Sequence, residues 1–237
     1  MEMNVVNIQA INNTSHSKIK IKDNPSFLQS KDKHFSPLVV QEFAAASQQF
    51  PIVFIKDLET GQFNTVALLG LKPGENLFYN EKNWQAHYVP QALKLYPFLV
   101  HQDKDNKQAI LCFDENSPLV NESEGTALYD AEGIQNDWLT AKGESVVDYL
   151  ENTRLTQEFI TILLEHKLLS PQTLNLKLAN QEEYTLNGLY VIDEKVLHEL
   201  SDDAFLSLRK AGALVAIYAV LMSMQSIKLL ANKKLSQ

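Results

Sequence analysis

The sequence predicts an α+β protein with a mostly antiparallel sheet in its first half. Its second half reads as helix-rich, around a central buried C-terminal helix. Three observations carry this. Residues 51–113 hold short β-branched and aromatic runs separated by Gly and Pro turns. After Gly143 the apolar period becomes helical, with Val146, Tyr149 and Leu150 followed by Phe159, Ile160 and Leu163. Ala211–Met224 is the most hydrophobic run in the chain.

Residues 1–33, rich in Asn, Ser and Lys, read as a flexible N-terminal arm with little to bury, although Ile19-Lys20-Ile21-Lys22 alternates well enough to add one edge strand. Packing is expected to begin at His34, and Val39, Phe43 and Ala46 are spaced for a short helix leading into Phe50-Pro51. Ile52–Ile55 and Thr65–Leu71 make a hairpin across the Leu58-Glu59-Thr60-Gly61 turn. Lys72-Pro73-Gly74 turns the chain towards a strand at Asn76–Tyr79, a short helix carries Tyr88–Leu95, and Tyr96–His101 pairs with Gln108–Phe113.

Asp114–Thr140 carries seven acidic residues, no Lys or Arg, and Pro118, Gly125 and Gly133, so an acidic loop is expected over 114–143. It would join lobes 34–113 and 144–230 of one 34–230 domain, with 231–237 as a tail. Ser145 and Asp148 have capping-box spacing for a helix that ends at Ser170-Pro171. Leu174–Leu178 and Leu186–Ile192 alternate as paired strands, Asp193 caps a helix over Glu194–Leu200, and Ser201 opens the last helix.

A net charge of −8 argues against nucleic acid, because neutralising phosphates needs a basic surface and the longest basic run is Lys233-Lys234. The 14 residues of Ala211–Met224 fall short of the ~20 that span a bilayer, so no transmembrane segment is expected. The N-terminal residues show no continuous apolar stretch of the secretory type, and a cytoplasmic location is the expectation. Cys112, the one cysteine, rules out an internal disulfide and sits in an apolar strand as a buried small hydrophobe.

Chemical motifs are sparse. Gly70-Leu-Lys-Pro-Gly74 lacks the Gly-Lys-Ser/Thr continuation of a phosphate loop, and no Gly-x-Ser-x-Gly elbow occurs. His101-x-Asp103 has the spacing that starts an iron-binding facial triad, but completing it needs His166 or His198 from far along the chain. The acidic loop offers oxygens to a hard cation without the spacing of a calcium loop. No cofactor and no metal site is therefore assigned, and because no catalytic motif is recognisable the reading leans away from an enzyme. A polar–aromatic constellation stands out: Glu75, Asn76, Trp84, Tyr88 and Tyr96 follow a turn and can form a ligand pocket or tie that turn down.

Pro51–Asp57, Ala67–Leu71, Gly74–Phe78, Trp84, Tyr88-Val-Pro90 and Tyr96-Pro-Phe98 resemble the signature of the bacterial SapC-like family. Leu186–Glu194, Leu206–Gly212 and the apolar helix after them continue the resemblance, from about His34 to Leu230. The family is associated with surface-layer proteins, so the resemblance implies a soluble accessory or binding protein. Its ligand would be a peptide, glycan or protein partner in a surface-layer, uptake or modification system. The alternative is an enzyme or enzyme subunit acting with a halogenase- or oxygenase-type partner. The resemblance supplies no catalytic residues.

Overall fold

The computed structural model describes residues 6–102 and 109–236. Helices hold 38% and antiparallel strands 24% of the chain, and every pairing between its strands is antiparallel, which makes the class α+β. The chain divides into two compact units, each drawn from two separate segments: Met1–Pro25 with Lys94–Glu151, and Ser26–Leu93 with Asn152–Gln237.

The first unit holds two three-stranded sheets. Ala109–Asp114 lies between Phe98–Gln102 and Ile8–Ala10, so the expected hairpin gains a third strand from the N-terminal segment. In the other sheet, Lys20–Ile21 is flanked by Val120–Asn121 and Thr126–Ala127. This strand is therefore central, not an edge. The same pairing orders much of the segment expected as a loop. The basic side chains missing from that segment come from its partner strand: Lys22 Nζ lies 3.0 Å from Glu124, and Lys20 Nζ donates to the Ser123 carbonyl at 3.2 Å. Gly125 makes the close approach possible, since a Cβ there would sit 2.1 Å from the Ile21 carbonyl oxygen.

The long helix Asp137–Glu165 starts before the expected cap. Asn136 Oδ1 accepts the Leu139 N–H at 2.9 Å and so satisfies one of the free donors of the first turn. Ser145 sits inside the helix and donates to the Ala141 carbonyl instead of capping. Gly143 is also helical, and a Cβ on it would press to 3.4 Å from Leu111.

The second unit is built on a five-stranded sheet in the order Leu169–Lys177, Glu183–Ile192, Ile52–Lys56, Phe63–Leu68, Phe35–Pro37. Ile52, Val53, Phe54, Val66, Ala67 and Leu68 are buried in its centre, as an apolar run with little alternation requires. Phe159, Ile160 and Leu163, from the second half of the long helix, join this core, and Phe159 meets Phe43 edge-on at 5.8 Å. That helix ends at Glu165, five residues before Ser170. Lys167 takes a left-handed φ of +54°, and Leu168 N–H reaches back to the Leu163 carbonyl at 2.8 Å, the Schellman arrangement. Pro171 stands in the outermost strand, where its missing N–H costs no ladder bond.

Two further expectations need correction. Asn76–Tyr79 forms no strand; it is a turn segment whose Leu77 N–H donates to the Leu69 carbonyl at 2.8 Å. The last helix is several pieces, Asp202–Lys210, Ala213–Ser223 and Ile227–Leu235, broken first at Gly212 with φ +71° and then by a 3-10 turn at Met224–Ser226. Ala213–Ser223 packs on the Ile52–Lys56 and Glu183–Ile192 strands and on the Phe43–Ala46 helix. Ala213, Ala216, Ile217, Ala219, Val220 and Ser223 are buried, and the opposite face is not. Ser223 is the polar tie of that contact, accepting the Ile52 N–H at 2.9 Å and donating to the Val220 carbonyl at 2.6 Å.

Candidate functional site

Four of the five expected site residues, Glu75, Asn76, Trp84 and Tyr88, lie in the second unit, on the irregular stretch between Leu68 and Gln91; Tyr96 belongs to the first. The stretch has almost no regular ladder, so its polar groups are satisfied by side chains. Glu75 Oε2 accepts the Leu71 N–H at 2.9 Å, while Oε1 meets Lys234 Nζ at 2.8 Å. Glu75 is 8% exposed, and its carboxylate holds the Lys234 ammonium protonated above the usual lysine range. Asn76 donates to the Ser30 carbonyl and hydroxyl at 2.9 and 3.0 Å and accepts the Phe78 N–H at 2.9 Å.

Trp84 donates its indole N–H to the Tyr88 carbonyl at 2.8 Å. Its ring lies against Phe27, Phe50 and Phe78, with centroids 5.9, 6.3 and 5.9 Å away. Tyr88 donates its hydroxyl to Glu42 Oε1 at 2.7 Å, an oxygen that also accepts the Gln91 N–H at 2.7 Å; Glu42 Oε2 takes the Val39 N–H at 3.0 Å. Burial, and then the adjacent carboxylate, push the Tyr88 hydroxyl well above the ordinary tyrosine range. From the C-terminal helix, Lys233 sits 4.8 Å over the Phe78 ring and donates to the Gln85 carbonyl at 3.1 Å. These bonds join the stretch to Ser30, Glu42 and the C-terminal helix. In the first unit, burial raises the Tyr96 hydroxyl above its usual range, and a bond to Ser117 opposes that.

Among the described residues no three His, Cys, Asp or Glu side chains converge on a point that could hold a metal. Asp103 lies outside the described residues, and His101 is exposed on its strand. His166 Nε2 lies 3.2 Å from Ser207 Oγ. Ser207 Oγ donates to the Ala204 carbonyl at 2.7 Å, a shorter contact than its approach to His166. Burial raises the Cys112 thiol above its ordinary value, which keeps it protonated.

A feature the sequence reading did not single out lies on Ala213–Ser223. Val215 is 73%, Tyr218 43% and Met222 71% exposed, in line at i, i+3 and i+7. Gln225 extends the line by three, and no charged residue occurs from Ala211 to Ile227. Beside this line runs an open groove of about 600 Å³ lined by Tyr218, Leu221, Met222 and Gln225 on one side and by Ser47, Gln48 and Glu194 on another. Ser226 Oγ donates to the Ser47 carbonyl at 3.0 Å and closes the groove floor. The signal was present as the 3-4-3 spacing of these residues. A helix apolar on every side invites the reading that all of it is buried.

The same run has a second reading by composition. Ala213–Leu235 is 23 residues with a mean hydropathy of 1.8 in its most apolar window, long and apolar enough to cross a bilayer, where the shorter Ala211–Met224 run is not. In this fold 39% of that window is buried, and Ala213–Ser223 within it packs on the five-stranded sheet and on the Phe43–Ala46 helix.

No curated protein and no solved structure matches the chain. The SapC family does, over residues 11–230, a span that starts ahead of the His34 expected from the motifs and takes in Lys20–Ile21. With that match covering most of its 237 residues, the chain belongs to the SapC family.

Proposed function

We propose that this chain is an accessory binding protein that recognises a peptide segment of a partner across the outer face of Ala213–Ser223. The observation that carries the reading is the uncharged line Val215, Tyr218 and Met222, exposed beside a groove of about 600 Å³. Tyr and Met are enriched at protein interfaces, and an unbranched Met adapts its shape to what covers it. The amides of Gln48 and Gln225 supply donors and acceptors of the kind a peptide backbone needs, and the hydroxyls of Ser47 and Ser226, which donate to the Ala44 and Ser47 carbonyls, keep lone pairs with which to accept. Glu75, Asn76, Trp84 and Tyr88 support this from behind: their bonds fix the stretch on which the C-terminal helix rests.

The test is co-purification of the tagged full chain from its own host, beside Met222→Glu and Val215→Glu variants. A polypeptide retained by the wild type and lost from both variants, with unchanged melting temperatures, is the expected result. Retention by both variants would place recognition elsewhere, with the Glu75–Tyr88 stretch the next region to mutate.

A further inference from the structure

We infer that the segment received by this face is an amphipathic helix with a basic flank, an inference that rests on the binding role proposed above. Three features of the face select that occupant. Val215, Tyr218 and Met222 follow one another at 3 and 4 residues, the seam spacing on which a second helix packs at a shallow angle, and Gln225 continues the line on the 3-10 turn that follows. Half-buried Leu214 and Leu221 widen the seam on one side, so a ridge of partner side chains has a hole to enter. The line covers three turns, roughly 15 Å at the helical rise, which matches a short helical segment.

Charge sets the flank. Of the residues lining the groove, Glu194 alone is charged, and its carboxylate lies 3.8 Å from His198 Nε2 on the same short, exposed helix. A Lys or Arg beside the partner's apolar stripe meets this carboxylate and orients the helix. The apolar seam supplies most of the affinity, because exposed ion pairs contribute little.

Charge also argues against a second copy of this chain. Self-association would bring two Glu194 side chains and two net charges of −8 together.

The experiment is site-specific photo-crosslinking of the full chain in its own host, with the reactive group placed in turn at Val215, Tyr218 and Met222, and at Thr161 as an exposed control. Melting curves confirm that each variant is folded. The expected result is one polypeptide adduct at all three seam positions and none at Thr161. Its attachment residues should be spaced 3, 4 or 7 apart, with a Lys or Arg adjacent, and Glu194→Lys should cut the yield at Tyr218 several-fold. Attachment at alternate residues would show an extended strand, and an unchanged yield in Glu194→Lys would remove the basic flank. Either result overturns the helical, basic occupant and leaves the binding role standing. Adducts to another copy of the same chain would overturn the occupant in favour of self-association. Lipid adducts alone, or no adduct at any seam position, would overturn this inference and the binding role together.

Discussion

Replacing Trp84 by alanine separates a ligand-facing indole from a structural one. The side chain is 8% exposed and lies among Phe27, Phe50 and Phe78, with its N–H on the Tyr88 carbonyl. Truncating a buried tryptophan removes its transfer energy and opens a cavity, together about 3–5 kcal/mol. The Tyr88 carbonyl loses its donor for about 1 kcal/mol more. Against a total stability of roughly 5–15 kcal/mol, that is a large fraction. Trp84→Phe keeps most of the apolar contact and loses the N–H bond, so about 1–2 kcal/mol is expected. Urea unfolding followed by far-ultraviolet circular dichroism measures both. Met222→Ala, at a side chain 71% exposed, is the control and should stay within about 0.5 kcal/mol. If Trp84→Ala cost under about 1 kcal/mol, the packing argument would fail and an indole kept for a ligand would be the better account.

Lys234→Met should cost about 1.5–3 kcal/mol, because Glu75 keeps its burial and loses its cation. Adding Glu75→Gln should recover part of that in a double-mutant cycle, whereas strictly additive losses would refute the pairing. The Tyr88 hydroxyl is harder to deprotonate folded than unfolded, so the folded state binds more protons once pH passes the ordinary tyrosine value of 10.0. Stability should therefore fall as pH rises above about 10, and Tyr88→Phe should flatten that limb; equal slopes in wild type and variant would count against it. Gly125→Ala combines a φ of +100° with a Cβ 2.1 Å from the Ile21 carbonyl oxygen, so it should cost well over the ~1–2 kcal/mol of left-handed backbone alone. Gly133→Ala, at φ +78° with only Asn13 Nδ2 at 4.0 Å, should cost about that lower figure. Hydrogen exchange at Lys20–Ile21 distinguishes the two, and equal protection in both variants would show that the clash is relieved by a small shift.

Local chemistry made the second unit legible. Asp193 and Ser201 cap their helices with the bonds their positions imply, to Lys195, Val196 and Ala204 N–H groups. The hairpin of Leu169–Lys177 with Glu183–Ile192 follows from its alternation. The first unit was less legible because its partners are far apart in sequence. Lys20–Ile21 pairs with residues about a hundred positions away, and Ile8–Ala10 pairs with Ala109–Asp114. A strand of two or three residues has no periodicity of its own. The acidic segment looked like a loop because its cations and hydrogen-bond partners sit in the residues before Asp23. The early helix start at Asp137 was hidden for a similar reason, since an asparagine cap at Asn136 competes with many Asn residues that do nothing of the kind.

The exposed line on Ala213–Ser223 was hidden by the rule that made the C-terminal helix recognisable. Fourteen uncharged and mostly apolar residues say that a helix is sequestered from water; they do not say by what. A sheet covers one face of a helix, so Ala213, Ala216, Ile217 and Val220 account for what this sheet can bury. The small residues belong to that face because alanines let the helix approach the strands, and Ser223 ties it to Ile52. What is left over, Val215, Tyr218 and Met222, is larger and more adaptable than the sheet side requires, and it still carries no charge. A free solvent face of this acidic chain would be expected to carry some of its 29 carboxylates. Their absence from one line of two turns, beside an open groove, is the reason to read that line as covered when the protein does its work.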